Sequence, residues 1–299
     1  MKRFVLAMLI CVVASPASAV QIALTFDDLP SHSALPPGQT RVGIATAIIA
    51  ALKDAQTPPV YGFMNGIRLE DDPGSAPVLQ QWRDAGFPLG NHTWSHMNLG
   101  QHGVAEWEAD TQKNESVLAP LMAGGDWHWL RFPYLAEGET PAKHVAVRQF
   151  LAANGYRIAG VTMSFGDFMW NEPYARCVAK GNDAAIAQME AAYLAAAADT
   201  LDYEHKLSLA LYGRDIPYVL LMHLGAFDAR MLPRLLALYA AKGVSFVSLD
   251  EAERDPFYAA DNNPMLPPTP VTLEQAMSAQ GVTYAGHGVP LPPFDTLCR

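Results

Sequence analysis

The sequence predicts an α/β fold built from seven strands. Short apolar runs alternate with helical patterns from Val20 to Val247. Gly86, Gly155 and Gly243 each follow a helical pattern, where a residue with positive φ is commonly needed. The length of 299 residues, 50% of them hydrophobic, suits one large domain with a sizeable core. A closed barrel and an open doubly wound sheet both fit this pattern, because strand order does not decide closure.

We predict the individual elements from hydrophobic periodicity and from capping residues. The predicted strands are Ile22–Phe26, Val60–Met64, Phe87–Asn91, Trp129–Phe132, Tyr156–Thr162, Tyr218–His223 and Val244–Leu249. The predicted helices are Thr40–Ala55, Ala76–Ala85, Val104–Leu118, Ala142–Ala153, Asp183–Leu211 and Ala229–Ala241, with a short one near Thr272–Gln280. The stretch from Asn171 to Ile216 is long for one crossover, so we expect an inserted helical excursion there.

The two ends of the chain differ from this pattern. Met1 to Ala19 carries Lys2-Arg3, an apolar segment and Ala17-Ser18-Ala19, which is typical of a signal peptide cleaved before Val20. We therefore expect an exported protein, periplasmic or secreted. The apolar segment is shorter than the ~20 residues that span a bilayer, so no membrane anchor is expected after cleavage. Residues 20–250 would form the domain, and the proline-rich residues 251–299 would form an irregular tail packed on it.

The charge of the chain argues against a polyanionic partner. The net charge is −10, and loss of Lys2 and Arg3 leaves 18 basic against 30 acidic residues, a net charge of −12. Without clustered Lys and Arg, a nucleic-acid partner is not expected. The sequence predicts no particular oligomeric state.

The cysteine content suggests one disulfide. Beyond the signal peptide only Cys177 and Cys298 remain, and a bond between the tail and the loop after Trp170 is a hypothesis suited to an oxidising compartment.

Polar side chains stand at the carboxyl ends of five predicted strands, where α/β sheets and barrels place their active sites. They are Asp27-Asp28, the segment Asn91-His92-Thr93-Trp94-Ser95-His96, the segment Arg131-Phe132-Pro133-Tyr134, Asp167 and His223.

Asp27 and Asp28 suggest a metal ion, because adjacent carboxylates raise one another's pKa unless a cation intervenes. Taken alone, the pair before Leu29-Pro30 would favour a turn. His92 and His96 are four apart, so on one helical turn both imidazoles would face the same way. With Asp28 as the third ligand, two imidazoles and one carboxylate suit Zn²⁺, and Co²⁺, Ni²⁺ or Fe²⁺ fit the same set.

The remaining polar groups suggest a hydrolytic site. Three protein ligands would leave a coordination position open for water, and Asp27 would then be free to take a proton from it. His223 could supply a proton to a leaving group, and Arg131 could hold Asp27 ionised and oriented. The backbone N–H of Tyr134 could help to stabilise an oxyanion. A nucleophilic serine is a weaker idea, because no G-x-S-x-G motif is present.

Taken together, four motifs resemble those of the polysaccharide deacetylases, the NodB-homology or carbohydrate esterase family 4 group. They are Thr25-Phe26-Asp27-Asp28, His92-Thr93-Trp94-Ser95-His96, Arg131-Phe132-Pro133-Tyr134 and Leu221-Met222-His223, in the order of the family. The resemblance extends from about Ile22 to Leu249. It implies a distorted (β/α)7 barrel, a divalent metal bound by Asp28, His92 and His96, Asp27 as base and His223 as acid.

One motif departs from the family pattern. The family usually has D-x-x-D followed by Tyr or Trp, whereas Ser164-Phe165-Gly166-Asp167-Phe168 keeps only the second acid. By this resemblance Asp167 would orient Arg131 or tune His223. Leu221 would line a pocket for the acetyl methyl group, and Phe168 or Trp170 would supply an apolar wall against a sugar ring.

We therefore predict an exported, metal-dependent hydrolase that removes N-acetyl groups from an N-acetylated carbohydrate, such as a chitooligosaccharide or peptidoglycan. An O-acetyl esterase or a hydrolase of non-sugar amides would use the same groups. A non-catalytic carbohydrate-binding relative is the remaining alternative, although such a relative would be expected to lose the base, a ligand or the acid.

Overall fold

The structure, a computed structural model, describes residues 19–299 and contains one parallel sheet. Its strands are β1 (Gln21–Leu29), β2 (Tyr61–Met64), β3 (Leu89–Asn91), β4 (Trp129–Leu130), β5 (Arg157–Ile158), β6 (Tyr218–His223) and β7 (Ser245–Val247). The spatial order is β5-β4-β3-β2-β1-β6. The strand β7 pairs with Gln21–Ala23 of β1, just before the point at which β2 begins to pair at Thr25.

The sheet curls so that its two edges approach each other. Past β5, Met163 forms a parallel bridge to Leu220 of β6, the opposite edge strand. This contact bends the sheet into a distorted, incompletely closed barrel, and the prediction of a barrel is confirmed. The seven predicted strands all form, but β3, β4, β5 and β7 are each shorter than expected by two residues or more.

Helices surround the curled sheet. They are α1 (Arg41–Asp54), α2 (Ile67–Asp71), α3 (Pro77–Asp84), α4 (Val104–Leu121), α5 (Pro141–Ala153), α6 (Phe168–Ala179), α7 (Asp183–Tyr212), α8 (Ala226–Ala241), α9 (Leu249–Ala252), α10 (Ala259–Asn262) and α11 (Leu273–Ala279). Helix α7 is the expected helical excursion, and Asn182 caps its N-terminus by accepting from Ala185 N–H. Helix α6, which carries Pro173 in its interior, was not predicted.

The core lies between the strands and the helices. Both faces of β1 are buried, as expected for a parallel strand covered on each side. The largest fully buried side chains include Trp82 on α3, Trp129 on β4 and Trp170 on α6. Trp170 packs against Tyr193 and Phe227 with ring centroids 5.5 Å and 6.0 Å away. These contacts fix α6 against the helices behind the active-site edge of the sheet.

The C-terminal residues pack on the rest of the fold through backbone contacts. Arg148 of α5 donates to the carbonyl oxygens of Ala260 and Pro264. Arg176 of α6 donates to those of Phe294 and Leu297, at 2.6 Å and 3.2 Å. The helix α11 lies against α7. The tail is thus held by two arginines that reach its carbonyl groups.

A disulfide joins Cys177 to Cys298. Cys177 is fully buried and belongs to α6, so its expected position in a loop after Trp170 is wrong. The unpredicted helix explains the difference. The bond closes a loop of 121 residues and fixes the end of the tail to the domain.

The expected signal peptide lies outside the described residues, except for Ala19. Among residues 19–299, no helix combines the length and the apolar character that crossing a membrane requires.

Candidate active site

A bulge at the end of β1 places two carboxylates at the same edge of the sheet. Phe26 pairs with Gly62 and Leu29 with Met64, so three steps along β1 match two along β2. Asp28 lies in this extra step with a φ of 61°. Side chains normally alternate across a strand, and a bulge breaks that alternation. Asp27 and Asp28 therefore both line one cleft and are both buried.

The two histidines come from the loop after β3, which is irregular. The predicted helical turn from His92 to His96 is wrong, because Thr93 and His96 adopt left-handed backbone conformations with φ of 60° and 57°. Buried amide side chains hold this loop instead. Asn65 donates to the carbonyl oxygens of His92 and Thr93, and Asn91 accepts from Thr93 N–H at 2.9 Å. Strained backbone of this kind is common at functional sites.

The side chains of Asp28, His92 and His96 converge in a way that fits a metal ion. Asp28 Oδ1 lies 3.8 Å from His92 Nε2 and 3.5 Å from His96 Nε2. Two ligands of a tetrahedral Zn²⁺ at about 2.0–2.2 Å are about 3.4 Å apart. Asp28 Oδ1 is also buried without a hydrogen-bond partner among the described residues. A cation between these atoms would satisfy it.

Protonation states also favour metal binding. His92 Nδ1 lies 2.7 Å from the Arg131 carbonyl oxygen, which can only accept, so Nδ1 carries the proton and Nε2 keeps its lone pair for a metal. Burial lowers the pKa of His92 to about 4, and burial together with His92 lowers that of His96 to about 4. Burial alone would raise the pKa of Asp28. The hydrogen bond from His32 and the charges of His96 and His92 outweigh burial and hold this pKa below its usual range.

His32 belongs to the site, although the sequence analysis did not select it. Its Nδ1 lies 3.0 Å from Asp28 Oδ2, and its ring lies 4.7 Å from that of His223. Asp28, His32 and His223 form a second group that could hold a metal. The group with His92 and His96 fits better, because Asp28 Oδ2 is already hydrogen-bonded whereas Oδ1 is not. In the sequence, the only sign that His32 belongs to the site is its position four residues after Asp28.

Asp27 is paired with Arg131. Arg131 Nη1 lies 3.3 Å from Asp27 Oδ1, and its other nitrogens donate to the Ala159 carbonyl oxygen at 2.7 Å and to Thr25 Oγ1 at 3.1 Å. This fully buried guanidinium is therefore fixed on both sides. Burial raises the pKa of Asp27 to about 6, and the charge of Arg131 opposes the rise. At neutral pH Asp27 is an ionised group whose proton affinity suits a general base.

His223 and Asp27 are register partners on the neighbouring strands β6 and β1. His223 Nδ1 lies 3.1 Å from Asp167 Oδ1, and its backbone N–H donates to Asp167 Oδ2 at 2.6 Å. Burial would lower the pKa of His223, but the buried Asp167 carboxylate outweighs it and raises the pKa to about 10. Of the two expected contacts of Asp167, the structure thus contains the one with His223, and Arg131 contacts Asp27 instead. His223 is a cation at neutral pH.

Apolar and aromatic side chains line the cleft, whose volume of about 520 Å³ is within the range of small-molecule sites. Tyr134, Leu221 and Phe168 all line it, and Ser164 lines it too. Trp170 does not, because it is fully buried on α6 among core aromatic rings. The prediction that Trp170 supplies a wall of the cleft is therefore wrong. Phe168, two residues earlier, lines the cleft instead, and its ring centroid lies 5.5 Å from that of His223.

Comparison with known proteins finds similarity over part of the chain. A family model described as polysaccharide deacetylase matches residues 14–159, which include the candidate ligands but end before β6 and His223. A chitin deacetylase of Arthroderma benhamiae is 29% identical over 84 residues, 28% of this chain and 23% of that protein. A peptidoglycan-N-acetylglucosamine deacetylase of Bacillus cereus is 28% identical over 136 residues, 46% of this chain and 44% of that protein. The chain thus spans less than half the length of either relative.

Solved structures extend the likeness to the fold as a whole. A peptidoglycan deacetylase from Bacillus subtilis superposes with a TM-score of 0.51 over 79% of this chain and 93% of that chain, at 17% identity. At that identity the likeness concerns the fold alone. The family match and the two curated relatives agree that residues of the N-terminal half are similar to polysaccharide deacetylases, and the fold is that of a solved member of that group.

Proposed function

We propose that this protein is a metal-dependent hydrolase that removes N-acetyl groups from an N-acetylated carbohydrate. The observation that carries the proposal is the convergence of Asp28, His92 and His96 beside Asp27 and His223. A ligand set, a base and an acid thus share one cleft, as hydrolysis of an amide requires.

Asp28 Oδ1, His92 Nε2 and His96 Nε2 would hold one divalent metal ion, most suitably Zn²⁺, with Co²⁺, Ni²⁺ or Fe²⁺ suited to the same donors. When bound, the ion would lower the pKa of water and polarise the acetyl carbonyl group.

Asp27 is assigned as the general base. The carboxylate would accept the proton of the attacking water while Arg131 keeps it oriented. The pKa of about 6 leaves Asp27 ionised at neutral pH yet basic enough to accept a proton. The Tyr134 N–H would donate to the acetyl oxygen as negative charge develops on it. Leu221, in the cleft wall, would contact the acetyl methyl group.

His223 is assigned as the general acid. Its Nδ1 is engaged by Asp167, so the proton on Nε2 is the one available to the departing nitrogen. Transfer of that proton breaks the C–N bond and yields acetate and an amine on the sugar. Asp167 acts through His223 as a positioning residue. Phe168, exposed at the cleft, would contact the face of the sugar ring.

The names of the relatives support a substrate class. The two curated relatives are named for chitin and for peptidoglycan N-acetylglucosamine, so we propose a chitooligosaccharide, peptidoglycan or a related glycan. An O-acetyl esterase or a non-sugar amide hydrolase would use the same groups. A non-catalytic relative is disfavoured, because the candidate base, ligands and acid are all present.

We further propose that the protein is exported and that residues 1–19 are removed. The proposal rests on the basic, apolar and small-residue pattern of that segment. Residues 20–250 would form the catalytic domain and residues 251–299 its packed tail. The Cys177–Cys298 disulfide supports an oxidising compartment.

Acetate release across four substrate classes tests the proposal. Chitin oligomers, peptidoglycan fragments, acetylxylan and simple amides would be incubated with the metal-reconstituted protein and with chelator-treated protein. We expect release from an N-acetylated glycan and its loss on chelation. Release from acetylxylan alone would instead identify an esterase, and no release from any class would contradict hydrolysis.

A further inference from the structure

Among residues 19–299, one cation in the cleft, Arg68, has no hydrogen-bond or ion-pair partner. Arg68 lies on the short helix α2 and lines the same cleft as Asp28 and His96. Its Nε is buried, yet within residues 19–299 it has no hydrogen-bond partner. Over the same residues no carboxylate lies within 4.0 Å of the guanidinium, although the chain has 30 Asp and Glu. A buried donor without a partner is costly, so such a group calls for an explanation.

The backbone holds Arg68 close to the candidate ligands. Ile67 N–H donates to the Trp94 carbonyl oxygen at 3.0 Å, which ties the start of α2 to the loop between His92 and His96. Arg68 also lines the same cleft as His96 and Asp28. The guanidinium therefore lies within electrostatic range of the reaction centre.

We propose that Arg68 binds a carboxylate of the substrate, so that the substrate is an N-acetylated glycan with an acidic substituent close to the scissile acetamido group. This inference rests on the proposed function, because it names the substrate class of the same site. The planar guanidinium offers parallel N–H donors that match the two oxygens of a carboxylate.

The charges of the cleft favour a carboxylate over a phosphate. Among the described residues that line the cleft, Arg68 is the single Lys or Arg side chain, and Asp27 and Asp28 lie in the same space. His223, the other cation that lines the cleft, is already paired with Asp167. The Arg68 guanidinium is left to balance one negative charge, which suits a carboxylate better than a dianionic phosphate. The acidic chain, with a net charge of −10, also repels anions, so an acidic substrate needs a dedicated cation.

A matched pair of substrates tests the inference. One N-acetylated oligosaccharide would carry a free carboxylate beside the acetamido group, and the other would carry the carboxamide at the same position. We expect the wild type to show the lower KM for the acid. Arg68→Gln should raise that KM about 10-fold to 100-fold, the usual worth of a charge-assisted hydrogen bond, with little change in kcat. The KM for the carboxamide should not change.

Arg254→Gln is the matched control, because Arg254 is exposed, does not line the cleft and carries the same charge. This variant should leave both KM values unchanged. Equal losses on both substrates in Arg68→Gln, or no loss on either, would overturn the inference. Isothermal titration of both oligosaccharides in the Asp27→Asn background separates the inference from hydrolysis. Tighter binding of the acid that depends on Arg68 supports it even without acetate release, and equal affinities contradict it.

Discussion

His32 Nδ1 lies 3.0 Å from Asp28 Oδ2, whereas His92 and His96 lie nearest the other oxygen, Oδ1. The carboxylate accepts from His32 through one oxygen and leaves the other, Oδ1, directed at the two imidazoles. A hydrogen bond to a ligating carboxylate fixes its orientation and its ionised state. The arrangement indicates a carboxylate prepared for binding a metal through one oxygen.

We predict that His32→Ala weakens metal binding. Loss of a hydrogen bond to a ligating group commonly costs about 10-fold to 100-fold in metal affinity. Calorimetric titration of the metal-free protein with Zn²⁺ measures this effect. His32→Asn is the matched control, because its side-chain amide can still donate to Asp28, and it should retain more of the affinity. Unchanged affinity in His32→Ala would remove His32 from the site.

We predict that activity depends on pH through two groups. The pKa of Asp27 is raised to about 6, so kcat/KM should rise as pH increases through about 6 in the absence of other effects on this group. A bound cation near Asp27 would move this limb to lower pH. The pKa of His223 is raised to about 10, so the protonated acid should be present below that value and kcat/KM should fall as pH increases through it.

Asp167→Asn should shift the alkaline limb of that profile to lower pH. The variant removes the negative charge that raises the pKa of His223, and burial then lowers it. Removal of one adjacent opposite charge typically changes a pKa by about 1–3 units. A kcat/KM profile of wild type and variant measures the shift. A loss of rate that is equal at every pH would mean that Asp167 has only a structural role.

We predict that Cys298→Ser lowers the free energy of unfolding by about 2–4 kcal/mol, because the bond restricts a loop of 121 residues in the unfolded chain. Urea unfolding followed by circular dichroism measures the change, and Cys177→Ser should give a similar result. Thiol titration of the denatured, unreduced protein lacking residues 1–19 should detect no free thiol. Two free thiols would contradict the bond.

Much of the site could be predicted from the sequence, because strand ends in an α/β fold share one edge. Asp27 and Asp28 lie at the carboxyl end of β1, the histidine loop follows β3, and His223 ends β6. Polar residues at these places had to meet once the strands were parallel. The order of strands and helices could be predicted from the spacing of apolar residues along the chain.

What could not be predicted depends on local backbone geometry and on helix register. The bulge that turns Asp28 into the cleft and the left-handed residue His96 arise from tertiary contacts. The position of Trp170 could not be predicted without α6, the unpredicted helix that directs its side chain into the core. His32 lies on a loop, where sequence spacing does not give direction.

The central claim is that Asp28 binds the metal whereas Asp27 acts as the general base. The variant Asp27→Asn tests this claim most directly. Acetate release and bound metal would be measured on the same samples of wild type, Asp27→Asn and His92→Ala. The account predicts that Asp27→Asn keeps its metal and loses most of its turnover, whereas His92→Ala loses both. Turnover near that of the wild type in metal-saturated Asp27→Asn would contradict the assignment of Asp27 as the base.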